Sequence, residues 1–379
     1  MIAVLNQSTG SAASTSGLPP AGGRTIDLRT FLELLDEAGY LVRVSEPVNW
    51  KLELGARARQ SNRPLLFETI QDYPGHRVLT NGLCDGRTIA FALGRNADAP
   101  QATLVEDTEQ LLANPPAPVM VEHSPVLENI VEGANVDLLS LPVPQWSPHE
   151  TARYIGTWHL NITRDPETRA RNVGVYRMQV LSSNRATVSA SSKSDLACHV
   201  LKAERLGQRL PMAVAIGVPE VTVIAAGADC PPGMDEYELA GAMQRHGIEL
   251  VLCPALDLEV PASSEIVIEG FIQPGERTLD GPYFDYCGRP NSNRQAFVFE
   301  ASRLMFRSQP IFRGAAIGLP GAEDHQLFAF LAQLDLVSFH GSRMRQRVQS
   351  ALWKRRAFRA LQYVGQLRST LCKISRRSD

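Results

Sequence analysis

Long apolar runs are missing from this 379-residue chain. Nothing approaches the roughly 18 residues needed to cross a bilayer, and the opening Met-Ile-Ala-Val-Leu is too short for a signal-peptide core. The expectation is a cytoplasmic protein without a membrane partner. Paired cysteines are missing too. Cys84, Cys198, Cys230, Cys253, Cys287 and Cys372 include no Cys-x-x-Cys, so neither a zinc site nor a disulfide framework is signalled, and most read as small core residues. There is no glycine fingerprint of a dinucleotide fold or P-loop, and no internal repeat.

What is present is a hydrophobic content of 44%, enough to bury a large core divided over two or three domains. The net charge of −2 conceals an asymmetry. From Gly341 onward eleven Lys and Arg face a single acid, Asp379, leaving about −12 on the remainder. The basic run Lys354-Arg-Arg356 reads as a solvated helix face or a phosphate contact. No aromatic-interleaved motif accompanies it, so nucleic acid is not the expected partner.

Residues 1–25 are Ser, Gly, Ala and Pro without apolar periodicity, a composition that predicts a disordered leader. Asp27 is an N-cap candidate, after which Leu28, Phe31, Leu32 and Leu35 form one helical stripe ended by Gly39; a strand over Tyr40–Val44 follows. Between Pro64 and Leu93, Pro-Leu-Leu-Phe and Ile-Ala-Phe-Ala-Leu suggest strands separated by turns, giving a small α/β domain over 26–118. Asn114 to Pro118 reads as a linker or an extended edge.

From 119 to 320 the pattern is mainly strand: Trp158–Thr163, Val173–Leu181, Met212–Ile216, Val221–Ala225, Glu249–Cys253 and Ile266–Ile272. Helices are expected near Leu196–Leu206 and from Asp235 on. Many short strands with long excursions argue for a barrel or sandwich, an α+β rather than a doubly wound fold. Residues 321–379 read as helical and then basic.

Two segments carry candidate chemistry. In Asn172-Val-Gly-Val-Tyr-Arg177-Met-Gln, strand alternation sets Arg177 on a face with Val173 and Val175, where a guanidinium needs an anionic partner. In Gly275-Glu-Arg-Thr-Leu-Asp280-Gly-Pro-Tyr-Phe-Asp285, two carboxylates five apart flank a Gly-Pro turn. With Arg177 between them, one carboxylate holds the guanidinium and the other shuttles a proton. The residues alone leave this open, since Asp-Gly-Pro is also ordinary turn chemistry and a strand arginine is often half of a structural ion pair.

Both segments resemble the signature regions of the UbiD decarboxylases. The first is similar to that family's cofactor-binding strand. The second, from Glu269-Gly-Phe-Ile to Asp280-Gly-Pro-Tyr283, is similar to its acidic loop. Asp27-Leu-Arg-Thr-Phe-Leu-Glu-Leu-Leu35, Leu141-Pro-Val-Pro-Gln-Trp146, Leu210-Pro-Met-Ala-Val-Ala-Ile-Gly217 and Glu323-Asp-His325 extend the likeness over about 26–330.

The resemblance implies a split β-barrel over 119–320 that binds prenylated FMN, and non-oxidative, reversible removal of CO2 from an aromatic or α,β-unsaturated acid. It assigns Asn172, His199 and Glu236 to Mn²⁺ or Mg²⁺ beside the flavin phosphate, with K⁺ as a further ion. It places Val175 and Tyr176 with Arg177 at the flavin, and makes Arg177, Asp280 and Asp285 an acid/base triad. Asp280 stands where the family more often has Glu, which predicts a triad closed by a backbone shift or through water. Phe284 and Cys287 depart from the family's loop and hint at an altered pocket. A flavin prenyltransferase as cofactor supplier and a homo-oligomer are further implications, as is a C-terminal domain that here reads as shortened. Two rival expectations are a subunit that needs another chain to complete its site, and an FMN-dependent reductase.

Overall fold

The structure is a computed structural model that describes residues 25–99, 101–228, 230, 233–291, 294–318 and 322–338. The leader to residue 24 and the basic segment from Gly341 on, including Lys354 to Arg356, lie outside the described residues.

The chain enters helix α1, Leu28–Glu37, where Asp27 caps the first turn by accepting the Thr30 N–H at 2.8 Å. The expected stripe of Leu28, Phe31, Leu32 and Leu35 is the buried face. Gly39, at φ +71°, turns the chain out of the helix into β1, Val42–Val44. Helix α2, Glu53–Gln60, leads to β2, Leu65–Phe67, and β3, Arg77–Thr80. The run Ile-Ala-Phe-Ala-Leu, expected as strand, lies instead on helix α3, Gly86–Ala92. A reciprocal cap between Asp85 and Thr88 starts that helix and outweighs the strand-like composition. Helix α4, Gln101–Leu112, completes this region.

Next come β4, Val119–Met120, β5, Asn129–Glu132, β6, His159–Arg164, β7, Arg171–Gly174, and β8, Arg185–Val188. Helix α5, Asp195–Arg205, capped by Ser194, precedes β9, Leu210–Ile216. Val221–Ala225, expected as strand, belongs to helix α6, Glu220–Ala226. Tertiary packing overrides the β-branched run there, because every residue from Glu220 to Ala225 is buried. Helix α7, Glu236–Gln244, starts at the Asp235 cap and leads to β10, Glu249–Leu252, and β11, Glu259–Pro261. Strand β12 runs from Ile266 to Asp280, well past the expected Ile272, and pairs with β13, Arg294–Phe306. The path ends with β14, Ile311–Arg313, and helix α8, Glu323–Ser338. Among the described residues no helix is long and apolar enough to cross a membrane.

Strands β1, β2, β3 and β14 form one sheet, with β14 pairing parallel to β3, so the late strand completes the early sheet. A small sheet joins β11, β10 and β4. The main sheet is seven-stranded, in the order β5-β13-β12-β9-β6-β7 with β8 on β13. Alternation along β9 feeds two cores: Ala213 and Ala215 join the helices α6 and α7, while Met212, Val214 and Ile216 join α5 and Phe299.

This sheet bends back on itself without closing. The expected strand Val173–Leu181 stops at Gly174, and Arg177–Leu181 instead pairs with β8 through Ser189 N to Arg177 O at 3.0 Å and Thr187 N to Gln179 O at 2.8 Å. Val175 and Tyr176 are the gap. The simple alternation expected from Asn172 to Gln179 therefore fails after Gly174, and the barrel is split there.

Candidate active site

A cleft of about 570 Å³ opens at this split, lined by Gly174 to Arg177, Trp158, Ser189 to Ser191, Tyr283, Asp285 and the α8 residues Leu327, Phe328 and Leu331. Gly174 has no room for a side chain, because a Cβ would come within 2.5 Å of the Tyr176 ring. The Tyr176 N–H, released from strand pairing, donates to Asn161 Oδ1 at 3.0 Å.

Arg177 meets its expected partner. Its Nε donates to Asp280 Oδ1 at 2.7 Å and Nη2 lies 2.5 Å from the same oxygen. Asp280 is fully buried, and its Oδ2 accepts from the Thr187 hydroxyl at 2.7 Å. The pair closes directly, without the bridging water that was one of the two expectations for an aspartate here. Asp280 is the last residue of β12 rather than a turn residue, and strand pairing with Arg294 fixes its direction. Nη2 makes the ion pair without an aligned hydrogen bond, which leaves donor capacity for an acceptor in the cleft. The guanidinium rests 4.7 Å from the Tyr283 ring centroid, and Tyr283 packs on Tyr154 at 4.6 Å. Burial drives both phenols above their ordinary pKa, so they stay protonated donors.

Asp285 is half-buried on the same cleft. Its Oδ1 accepts the Cys287 N–H at 2.9 Å rather than a contact from Arg177. Arg177 and Asp280 are thus a bonded pair, with Asp285 facing the space they border.

Asn172, His199 and Glu236 arrive from β7, α5 and α7. His199 Nδ1 shares a 2.9 Å hydrogen bond with the Thr163 hydroxyl, to which Asn172 Nδ2 also donates at 3.5 Å. Glu236 Oε2 accepts the Val173 N–H at 3.1 Å, and the Tyr176 hydroxyl reaches Asn172 Oδ1 at 3.4 Å. Burial lowers the His199 pKa against the pull of Asp165, and raises Glu236 to about 7. A neutral imidazole, an amide oxygen and a desolvated carboxylate are a donor set that suits a hard divalent cation. Among the described residues no three His, Cys, Asp or Glu converge. Arg171 steadies the arrangement, bonding Asp235 at 2.5 Å and Glu259 at 3.1 Å.

Sequence reasoning missed the roles of Thr187 and Gln179, which complete the Asp280 wall and carry no local sequence signal. Gln179 Oε1 accepts the Gly281 N–H at 2.9 Å. Behind Trp158 lies a buried network equally invisible in sequence: Arg313 bonds Glu220 at 2.5 Å and Glu323 at 2.6 Å, and Glu220 accepts the Trp158 indole N–H at 2.9 Å.

The chain and its fold are matched by known proteins. Residues 119–320 match the family model described as the 3-octaprenyl-4-hydroxybenzoate carboxy-lyase Rift-related domain, and 32–108 match the corresponding N-terminal domain. The chain belongs to the UbiD family. It is 32% identical over 309 residues to a phenolic acid decarboxylase of Streptomyces sp. (strain D7), covering 78% of this chain and 65% of that protein's length. The closed form of vanillic acid decarboxylase from Sedimentibacter hydroxybenzoicus superposes with a TM-score of 0.79 at 30% identity, over 82% of this chain and 68% of the other. An evolved dimeric form of the UbiD-class enzyme HmfF from Pelotomaculum thermopropionicum, solved in complex with prFMN, gives a TM-score of 0.76 at 32% identity over 82% and 72% of the two chains.

Proposed function

We propose that the chain decarboxylates an aromatic acid of the phenolic type, using prenylated FMN in the cleft at the split of the barrel. The observation that carries this reading is the Arg177–Asp280 ion pair in the cleft wall, with Asp285 on the same space. Its support from relatives is that a phenolic acid decarboxylase and a vanillic acid decarboxylase share the family, and that a third member is solved with prFMN.

Prenylated FMN, when bound, supplies the electrophile and the electron sink for the pair released as the carbon–CO2 bond breaks. The chain's own residues bind, orient and move a proton. Asp280, locked between Thr187 and Arg177, holds the guanidinium over the Tyr283 ring so that it meets the substrate carboxylate in one orientation. Asp285, half-buried, exchanges protons with solvent and delivers one to the carbon that loses CO2. Leu327, Phe328 and Leu331 wall the cleft with apolar surface, which favours departure of neutral CO2. Asn172, His199 and Glu236 are the residues that would hold Mn²⁺ or Mg²⁺, which would supply positive charge for binding the anionic cofactor.

The test is anaerobic purification after co-expression with a flavin prenyltransferase, with mass analysis of the released cofactor and a CO2 assay on phenolic acids. Prenylated FMN and CO2 release are expected. Arg177→Ala is expected to load flavin yet lose at least about 100-fold in turnover, the scale of a lost acid/base and positioning group. Turnover with unmodified FMN and NAD(P)H would overturn the reading in favour of a reductase.

A further inference from the structure

Phe284, the residue that breaks the expected loop pattern, is 9% exposed and does not line the cleft. It therefore does not reshape the pocket directly. Its ring occupies a seat made by distant segments. His149 stacks on it with centroids 5.3 Å apart and planes 19° apart, and the Arg59 guanidinium lies 5.7 Å from its centroid. Gly318, at φ +96°, closes the seat: a Cβ there would come within 2.7 Å of the ring and 2.5 Å of the Asp285 carbonyl oxygen.

The seat is itself held by a buried carboxylate. Glu150, 3% exposed, accepts the Trp146 and Ser147 N–H groups at 3.1 Å each and so fixes the turn that carries His149. Arg59 Nη1 donates to the Trp146 carbonyl at 2.5 Å, and a Cβ on Gly55 would overlap that same carbonyl, so α2 presses directly on this segment. The acidic loop is also held by its own bonds, Asp285 N to Arg289 O at 3.3 Å, Gly288 N to Asp285 O at 2.9 Å and Asn291 N to Tyr283 O at 2.7 Å, and by the Tyr286 ring on Phe328 of α8 at 5.5 Å. Phe284 stands between Tyr283, which carries Arg177 on its ring, and Asp285, which faces the cleft.

We propose that Arg59, His149 and Glu150 are positioning residues whose seat for Phe284 sets, from the N-terminal region, where Tyr283 and Asp285 stand relative to Arg177. The structural half needs no assumption about activity; the consequence for turnover rests on the proposed decarboxylation. Removing the ring or its guanidinium lets the loop sample other conformations, and a shift of about 1 Å at a proton donor can cost on the order of 100-fold in rate.

The test uses the full chain and two readouts. Amide exchange of the 283–291 segment is followed by mass spectrometry in wild type, Arg59→Ala, Phe284→Ala, the double variant and Phe284→Tyr. Exchange is expected to quicken roughly tenfold in each alanine variant, with the double variant no faster than either single one, as for residues acting as a unit. Protection elsewhere stays unchanged, and Phe284→Tyr restores it. On flavin-loaded protein, kcat is expected to fall in the alanine variants with KM and cofactor content kept, and to recover in Phe284→Tyr. Unchanged exchange of the loop in both single variants, or fully additive effects, would overturn the proposal. If Phe284→Ala does not fold, Phe284→Leu and Arg59→Lys decide by the same exchange criterion. A chain with no decarboxylase activity but the expected exchange pattern would count against the proposed function and leave the seat established.

Discussion

Replacing Arg313 by Met tests how the buried wall behind Trp158 is held. Arg313, Glu220 and Glu323 are each 1% exposed. The guanidinium serves both acids and also donates to the Gly314 carbonyl at 2.8 Å. Burial pushes its pKa down, but Glu220 and Glu323 more than offset this, so it stays charged. Without it Glu220 keeps only the Trp158 indole, and Glu323 keeps the Asn81 and Leu83 N–H groups at 2.8 and 3.2 Å. Two carboxylates would then share a dry site. The expected cost at pH 8 is about 3–5 kcal/mol, the scale for removing one partner of a buried pair. Burial already raises the Glu220 pKa, and losing the cation raises it further. A carboxyl whose folded pKa exceeds its unfolded value stabilises the native state in acid and loses that contribution as pH rises. The penalty should therefore shrink by about 1.4 kcal/mol per pH unit once the pH falls below the raised value. Urea unfolding followed by tryptophan fluorescence measures it at pH 5.5, 7 and 8. Adding Glu220→Gln and Glu323→Gln should recover most of the loss. A variant within about 1 kcal/mol of wild type, with no pH dependence, would refute the reasoning, since that is the range of an exposed pair.

Three further outcomes are expected. Asp280→Glu should slow turnover by tenfold or more, because the existing pair already closes at hydrogen-bond distance and an added methylene overpacks a fully buried site at about 1–3 kcal/mol; a faster enzyme in steady-state assays would contradict this. Thr163→Val removes the hydroxyl that orients His199 and should weaken Mn²⁺ binding by about 10- to 100-fold in calorimetric titration, whereas unchanged affinity would dismiss His199 as a ligand. Burial raises the Glu150 pKa to about 7, so the folded chain gains stability below the unfolded carboxyl value and loses it as pH rises toward 7. Over that window wild type should lose about 3 kcal/mol relative to Glu150→Gln in denaturant titrations, and parallel curves would rule this out.

The parts of the fold readable in advance were those where local rules agree. The stripe of α1 behind its Asp27 cap, the start of α7 at Asp235 and the strands β6 and β9 are such places. The misread segments are short apolar runs, where period cannot separate a buried helix from a strand. The Asp85 and Thr88 cap could have corrected α3, but nothing local announces that Glu220 begins a helix, since its reason is an arginine 93 positions away. The Arg177–Asp280 pair was legible only because both flanking segments resembled a known family. Residue chemistry alone asked for an anionic partner for Arg177 but left open whether either aspartate supplies it. The seat of Phe284 was illegible for the same cause, as Arg59, His149 and Glu150 share no motif with the loop they hold.

The parallel pairing of Ile311 with Arg77 has a consequence for biogenesis. During synthesis the β1-β2-β3 sheet emerges long before the strand that completes it. Until then β3 offers a bare edge to any passing extended segment. A nascent chain released early would carry that edge permanently, so fragments ending before Ile311 should be recovered as aggregates or chaperone-bound species rather than as a free-standing first domain.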